Sequence, residues 1–441
     1  MAVKIVKLGR YNPWWKGGQW ITYDPDLSKI AVQERIPRKV IPIENGEITL
    51  IRGVRRAGKT FYLKTLIESL VREVDDRLKV VYIPCDRFTR REVRGFIDEL
   101  RRRRGDLYVF LDEITYLNGW RLLLKELGEE GVTTVATGSN PVELKREAEL
   151  LPGRGIEGNE YYFNPLNFRE FARYMKPQLP DVSFGYSEPD VDGVFPWYEE
   201  IEGLFYAYLQ TGGFPEAVLD LKKQGKVGEE RYEEFIRLVL GEIAKSGKNE
   251  ETAREILEAV LNLRGNRVDY VSIAREVGVS HPTVREYLST LENARLIYTL
   301  ETWDISRKRH AHRKEKKIVF QSPLIAMSLA VYLGENPIEF PDKNIEWLVE
   351  GTVATHVIWH LEKPIIQENH SFAGFYYDRT KECDLVIKEG GRFFGIEVKY
   401  GKVKRKNYPF PVIYLSKDEL GEDTVPVSLY LYGLKKRERS I

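Results

Sequence analysis

Residues Gly53-Val54-Arg55-Arg56-Ala57-Gly58-Lys59-Thr60 constrain this chain more than any other segment. They spell Gly-x-x-x-x-Gly-Lys-Thr, between an apolar run, Ile48-Thr49-Leu50-Ile51, and a helical pattern from Lys59 to about Arg72. A strand that turns through glycines into a helix aims backbone amides at the helix N-terminus, where an anion binds. Lys59 is placed to reach the β and γ phosphates, and the Thr60 hydroxyl to hold magnesium. The pattern predicts a nucleoside triphosphate, ATP with Mg2+, cradled by Gly53 to Thr60.

A second segment makes this reading specific. Leu107-Tyr108-Val109-Phe110-Leu111 reads as a strand buried on both faces, and it ends in Asp112 and Glu113. Asp112 is placed in the magnesium shell, and Glu113 to orient or deprotonate the attacking water. The plainer alternative is a pair of acids opening the next helix. A further strand, Thr133 to Thr137, leads to Gly138-Ser139-Asn140, where Asn140 would sense the γ-phosphate. Arg154, in Gly153-Arg154-Gly155, either stabilises triphosphate charge, in its own site or a neighbour's, or is a turn arginine.

Around these motifs strands alternate with helices. Val80 to Pro84 reads as a strand and Arg90 to Arg104 as a basic helix. That order predicts a parallel sheet with helices on both faces and ligand at the carboxyl ends of the strands. The preceding arm carries Asn12-Pro13-Trp14-Trp15 and Trp20 and is expected to wrap this domain; exposed tryptophans docking a partner are the alternative. The expected organisation is a P-loop domain with its arm over 1–175, a helical lid with an insertion over 176–248, a winged helix over 249–320, and a C-terminal α/β domain over 321–441. Pro177 to Glu200 lacks any period and reads as loop. The helices from about Ile201 to Lys245 are interrupted by a turn at Gly212-Gly213-Phe214-Pro215.

Bulk composition narrows the partners only slightly. With 68 Lys and Arg against 67 Asp and Glu, only local charge clusters speak for a partner. Cys85 and Cys383 have no metal-ligand spacing, which argues against a zinc ribbon or disulfide scaffold. No apolar run approaches the ~18 residues of a membrane span, and no signal peptide opens the chain, so a cytoplasmic protein without membrane contact is expected.

Ser272 to Leu288 carries a helix-turn-helix pattern. Gly278 breaks the first helix, Ser280 caps the second, and Pro282 suits its first turn. Val284, Leu288 and Leu291 form the buried stripe, leaving Thr283 and Arg285 to face a nucleic acid. Leu296 to Leu300 begins a wing strand. Arg307 to Lys317 then holds seven Lys or Arg, two His and one Glu, with Arg307, Lys308 and Arg309 as candidate DNA phosphate contacts. A solvated loop and a protein-docking winged helix are the alternatives.

Near the C-terminus, Cys383 to Ile387 and Phe393 to Lys399 read as two strands joined by Glu389-Gly390-Gly391. Glu397 and Lys399 face the same way on their strand. The spacing Asp384-x12-Glu397-x-Lys399 is that of a metal-dependent nuclease core: Asp384 and Glu397 would bind magnesium and Lys399 would position the water. Glu350, on a helix from about Asn344 to Leu361 with one apolar stripe, is a fourth candidate. A surface hairpin with a Glu–Lys pair is the alternative. His356 and His360, four apart on that helix, lack the glutamate of a zinc-protease motif and read as surface or satisfied core histidines.

Taken together these motifs resemble a prokaryotic, especially archaeal, family of AAA-type P-loop ATPases with a winged helix and a C-terminal domain similar to the PD-(D/E)xK nuclease fold. Beyond the chemical motifs, the resemblance is carried by Asn164-Pro165-Leu166-Asn167-Phe168-Arg169-Glu170-Phe171 and by Gly212-Gly213-Phe214-Pro215-Glu216-Ala217. It implies ATP and magnesium at the first site, and nuclease ancestry at the second. At Lys317-Ile318-Val319-Phe320-Gln321-Ser322-Pro323 the chain departs from relatives, which tend to have Asp-Gly after the strand. The expected function is ATP hydrolysis coupled to DNA binding, with metal-dependent DNA cleavage as an added step and homo-oligomerisation compatible with it. The rivals are a regulatory switch ATPase whose C-terminal fold is a scaffold, and a sequence-specific transcription regulator.

Overall fold

The computed structural model describes residues 5–138, 159–245, 247–361 and 370–435. The described residues form two compact units, one up to Asn164 and the other from Pro165 onward.

The first unit is built on five parallel strands: β1 (Ile48–Arg52), β2 (Val80–Pro84), β3 (Tyr108–Asp112), β4 (Thr133–Gly138) and β5 (Glu160–Tyr162). Their order is β2-β3-β4-β1-β5. Val, Ile, Leu and Phe dominate β1 to β3, and these strands are buried along almost their whole length, as a sheet covered on both faces requires. The covering helices include α1 (Lys59–Glu73), α2 (Arg90–Arg104) and α3 (Trp120–Glu129). Thr89 and Glu92 close a capping box at the start of α2, so this very basic helix begins where its sequence signals it should. Because the strands are parallel, the ends of β1, β3 and β4 reach the same edge of the sheet.

The arm protects the open edge of this sheet at β2. Asn12 brackets Tyr82, its amide donating to the Tyr82 carbonyl (2.9 Å) while its oxygen accepts the Tyr82 N–H (2.7 Å). The indoles of Trp14 and Trp15 both donate to the Val80 carbonyl at 2.9 Å. Backbone groups that would otherwise template another strand are thereby satisfied. Trp14 is fully buried and Trp20 packs edge-on against it, so these tryptophans belong to the fold.

The second unit opens with α4 (Phe168–Met175), α5 (Tyr198–Thr211), α6 (Pro215–Gln224) and α7 (Glu229–Lys245). Two segments without evident chemistry prove to be partners. Leu166 donates its N–H to the Gly213 carbonyl (2.9 Å), and a Cβ on Gly213 would lie 1.9 Å from the Leu166 carbonyl oxygen. Gly212 and Gly213 both have positive φ, 52° and 74°, so the turn needs glycine for backbone shape as well as for space. The loop before α5 straps onto α14 (Val427–Gly433): Phe184 donates its N–H to the Gly433 carbonyl, and the hydroxyls of Tyr430 and Tyr432 donate to the carbonyls of Tyr186 and Pro180.

Helices α8 (Glu250–Leu263), α9 (Tyr270–Val277) and α10 (His281–Asn293) follow, then β6 (Ile297–Asp304), β7 (Arg309–His310) and β8 (Lys316–Phe320). Gly278 ends α9 with φ 76°, and the Ser280 hydroxyl caps α10 by accepting the Thr283 N–H. β6 pairs antiparallel with β8 and parallel with β9 (Ala373–Asp378), so one sheet runs on across residue 320. It continues through β10 (Lys381–Glu389), β11 (Arg392–Lys399), β12 (Val412–Ser416) and β13 (Thr424–Pro426). Gly390 and Gly391, both at positive φ, make the tight β10–β11 turn.

Helices α11 (Pro323–Tyr332), α12 (Glu339–Lys343) and α13 (Ile345–Leu361) lie between these strands in the chain. The sequence predicted one apolar stripe on α13, whereas almost every residue from Leu348 to Leu361 is buried. The helix is packed on several sides, so its small and polar positions are enclosed as well. His356 is a satisfied core residue: its Nε2 accepts the Phe168 N–H (3.0 Å) and its Nδ1 pairs with the Thr352 carbonyl. Among the described residues no helix is long and apolar enough to cross a membrane.

Candidate functional site

At the edge where β1, β3 and β4 end, one carboxylate joins four elements. The hydroxyls of Thr60 (α1) and Tyr82 (β2) donate to Asp112 Oδ2, each at 2.8 Å. The Thr137 hydroxyl (β4) donates to Oδ1 at 2.6 Å and accepts the Glu113 N–H at 2.9 Å. Burial, helped by the neighbouring Glu113 charge, raises the Asp112 carboxyl above its usual range, and the three hydroxyl donors offset only part of this. Glu113 has left-handed backbone, φ 52° and ψ 50°, a conformation that costs about 1–3 kcal/mol for a residue with a side chain. Its carboxylate lies 4.0 Å from the Lys59 ammonium and a quarter of it is exposed, so it borders both the loop and solvent.

Lys59 is buried and donates to the carbonyls of Gly53 (3.0 Å) and Val54 (3.1 Å). Burial holds its pKa below the usual lysine range, and the charges of Glu113 and Asp112 offset only part of that effect. Gly58 has φ 98°, the left-handed bend that starts α1. Gly53 needs glycine for a different reason: a Cβ there would lie 2.1 Å from the Phe163 carbonyl oxygen, just beyond β5. Arg55, Arg56 and Ala57 complete the loop, with Arg56 at φ 66°. Asn140 and Arg154 lie outside the described residues.

The C-terminal candidates also converge. The Lys399 ammonium stands 2.8 Å from Glu397 Oε1 and 3.7 Å from Asp384 Oδ2, and Asp384 accepts the Val398 N–H at 2.9 Å. At the centre is Lys317 from β8, only 3% exposed. Its ammonium is 2.7 Å from Glu350, 2.6 Å from Glu382 and 3.3 Å from Asp384. Burial works against its charge, but these three carboxylates carry its pKa well above the usual lysine range. Burial and the neighbouring Asp384 push Glu350 up to about 7. Among the described residues no three His, Cys, Asp or Glu side chains are grouped to hold a metal ion.

The helix-turn-helix candidates divide. Arg285 is exposed on α10, but the Thr283 hydroxyl is engaged with Ser280 (2.7 Å) at the cap. Arg307, Lys308 and Arg309 are exposed at the β6–β7 turn, where Asp304 accepts the Arg307 N–H. Arg285 instead shares a groove of about 730 Å3 with His281, Arg313 and Lys314.

Residues 45–172 match the family model of an AAA domain. The N-terminal sheet and its loop belong to an AAA domain. Such a domain suggests a nucleotide-binding ATPase and typically works with Mg2+. Residues 202–332 match a domain of unknown function (DUF8612). Neither description names a winged helix or a nuclease. An uncharacterized protein of Haemophilus influenzae is 27% identical over 300 residues, covering 63% of this chain and 68% of that protein. Two uncharacterized proteins of Methanocaldococcus jannaschii are each 24% identical, over 64% and 71% of this chain. The chain spans less than two thirds of their length, 62% and 66%.

The AAA domain has the donor set that magnesium needs. Mg2+ takes one or two protein oxygens and fills its shell with phosphate oxygens and water. The Thr60 hydroxyl and the Asp112 carboxylate, in mutual contact, could offer such oxygens. Tyr82 and Thr137, which steady Asp112, were not identified from sequence. Thr137 stands next to the last residue of β4, just before the Gly138-Ser139-Asn140 segment, and was a legible hint, but Tyr82 resembles any β-strand tyrosine. Gly53→Ala tests the packing constraint on the loop: nucleotide affinity is expected to fall at least ~10-fold in titration calorimetry, because backbone must move to admit the methyl group.

Proposed function

We propose that the chain is an ATP-hydrolysing switch that couples nucleotide state in the AAA domain to DNA contact through α9, α10 and the β6–β8 hairpin, acting as a winged helix. The observation that carries the ATPase part is the Asp112 carboxylate held by Thr60, Tyr82 and Thr137. Thr60 and Asp112 would hold magnesium, which when bound would offset negative charge on the phosphates. Lys59 exchanges its two loop carbonyls for phosphate oxygens. Glu113 orients the attacking water. A loop that closes on the terminal phosphate is a two-state element able to bias distant surfaces.

Exposed Arg285, which lines the same groove as Arg313 and Lys314, supports the DNA part. Duplex binding, followed by fluorescence anisotropy against salt, tests it. Affinity is expected to drop steeply with salt, and Lys314→Ala to reduce the logarithmic slope by about 1. Binding that is absent or flat in salt would assign these helices to protein docking.

The C-terminal sheet admits two readings. Metal-dependent cleavage by Glu350, Asp384, Glu397 and Lys399 requires a divalent ion among those acids. The Lys317 ammonium amid the same carboxylates favours the other reading, a nuclease-like scaffold that does not cut.

A further inference from the structure

We infer that the Lys317 ammonium is the resident cation of the C-terminal acid cluster, standing where a metal-dependent nuclease would carry a divalent ion. This rests on the scaffold reading and deepens it. An ammonium has three N–H donors. Glu350 on α13 and Glu382 and Asp384 on β10 surround it with three carboxylates, at 2.7, 2.6 and 3.3 Å. Lys317 thereby ties a strand, a helix and a second strand together with one buried charge.

Other oxygens of the cluster are engaged as well. Asp384 Oδ2 takes the Val398 N–H. Glu397, fully buried, faces Lys399 (2.8 Å) and Lys406 (3.1 Å) through one oxygen and accepts the Tyr408 hydroxyl (3.0 Å) through the other. Magnesium demands oxygens in near-octahedral array at about 2.0–2.1 Å and keeps several waters. Arg267 also pairs with Glu382 at 2.8 Å and Lys399 stands 3.7 Å from Asp384, so with Lys317 seated three cations meet the three carboxylates Glu350, Glu382 and Asp384, and no unbalanced charge is left for a metal. Sequence carries part of this signal. Lys317 stands in the apolar strand Lys316–Phe320, and Glu382 shares strand parity with Asp384.

Lys317→Met keeps the unbranched shape of the side chain, ends one atom short of the ammonium nitrogen and removes the charge, so it is the informative change. The full chain, without nucleotide, is titrated with MnCl2 by calorimetry as wild type, as Asp384→Asn, as Lys317→Met, and as Lys317→Met with Asp384→Asn. The expected result is no wild-type Mn2+ binding that Asp384→Asn removes. Lys317→Met should gain one Mn2+ per chain, at least ~10-fold tighter than any wild-type uptake, and the added Asp384→Asn should abolish that gain. EDTA should then lower the melting temperature of Lys317→Met alone. Wild-type Mn2+ binding that depends on Asp384 would overturn the inference; Mn2+-dependent DNA cutting with it would overturn the scaffold reading too. A folded Lys317→Met that takes up no Mn2+ would overturn the inference and leave the scaffold reading in place. If Lys317→Met does not fold, Lys317→Met with Glu382→Gln removes one of the unbalanced buried acids and serves in its place. Should that fail as well, the wild-type comparison with Asp384→Asn decides.

Discussion

Lys59→Ala is expected to reduce ATP turnover by on the order of 10²–10³-fold, the usual effect of losing one preorganised donor to transition-state charge. The ammonium is buried and held by two loop carbonyls, so it is positioned before any phosphate arrives. Glu113→Gln should slow turnover by about 10²–10⁴-fold, as expected for a general base. Nucleotide affinity should change less than turnover, because the amide keeps the size and shape of the Glu113 side chain and removes only its charge and basicity. A steady-state phosphate-release assay beside nucleotide titration separates the two effects. Unchanged turnover in both purified variants would remove the ATPase assignment.

Trp14→Ala is expected to have the largest effect on stability. The side chain is fully buried, packs edge-on against Trp20, and donates to Val80 at the open edge of the sheet. Truncating a buried tryptophan costs about 3–5 kcal/mol, with the lost hydrogen bond included in that range. For a unit of this size that corresponds to a fall in melting temperature on the order of 10 °C, read by calorimetry. The variant should also aggregate more readily, since the β2 edge would no longer be covered. A shift below ~2 °C would mean that the arm adds little to the fold.

The legibility of the two sites differs for a physical reason. The AAA site is made mostly by local sequence. Strand, loop and helix follow one another from Ile48 to Glu73, and the glycine pattern fixes backbone shape within that span. Asp112 was equally legible, because an apolar strand ending in acids has few other uses. The reason for Gly53 was not legible, since Phe163 approaches from 110 residues further along the chain. The docking of Leu166 on Gly213 was hidden in the same way.

The chain by itself determined which chemical groups are available and the order in which strands and helices form, because apolar period, caps and turn glycines act within a few residues. It also dictated that a loop able to cradle phosphate follows the first strand. Only tertiary structure decided which groups meet. Strand pairing brought Tyr82 and Thr137 to Asp112, and it carried Lys317 into the acids that sequence spacing had offered to a metal. Those meetings depend on sheet order and register, which are set by long-range packing, and no short stretch of residues specifies them.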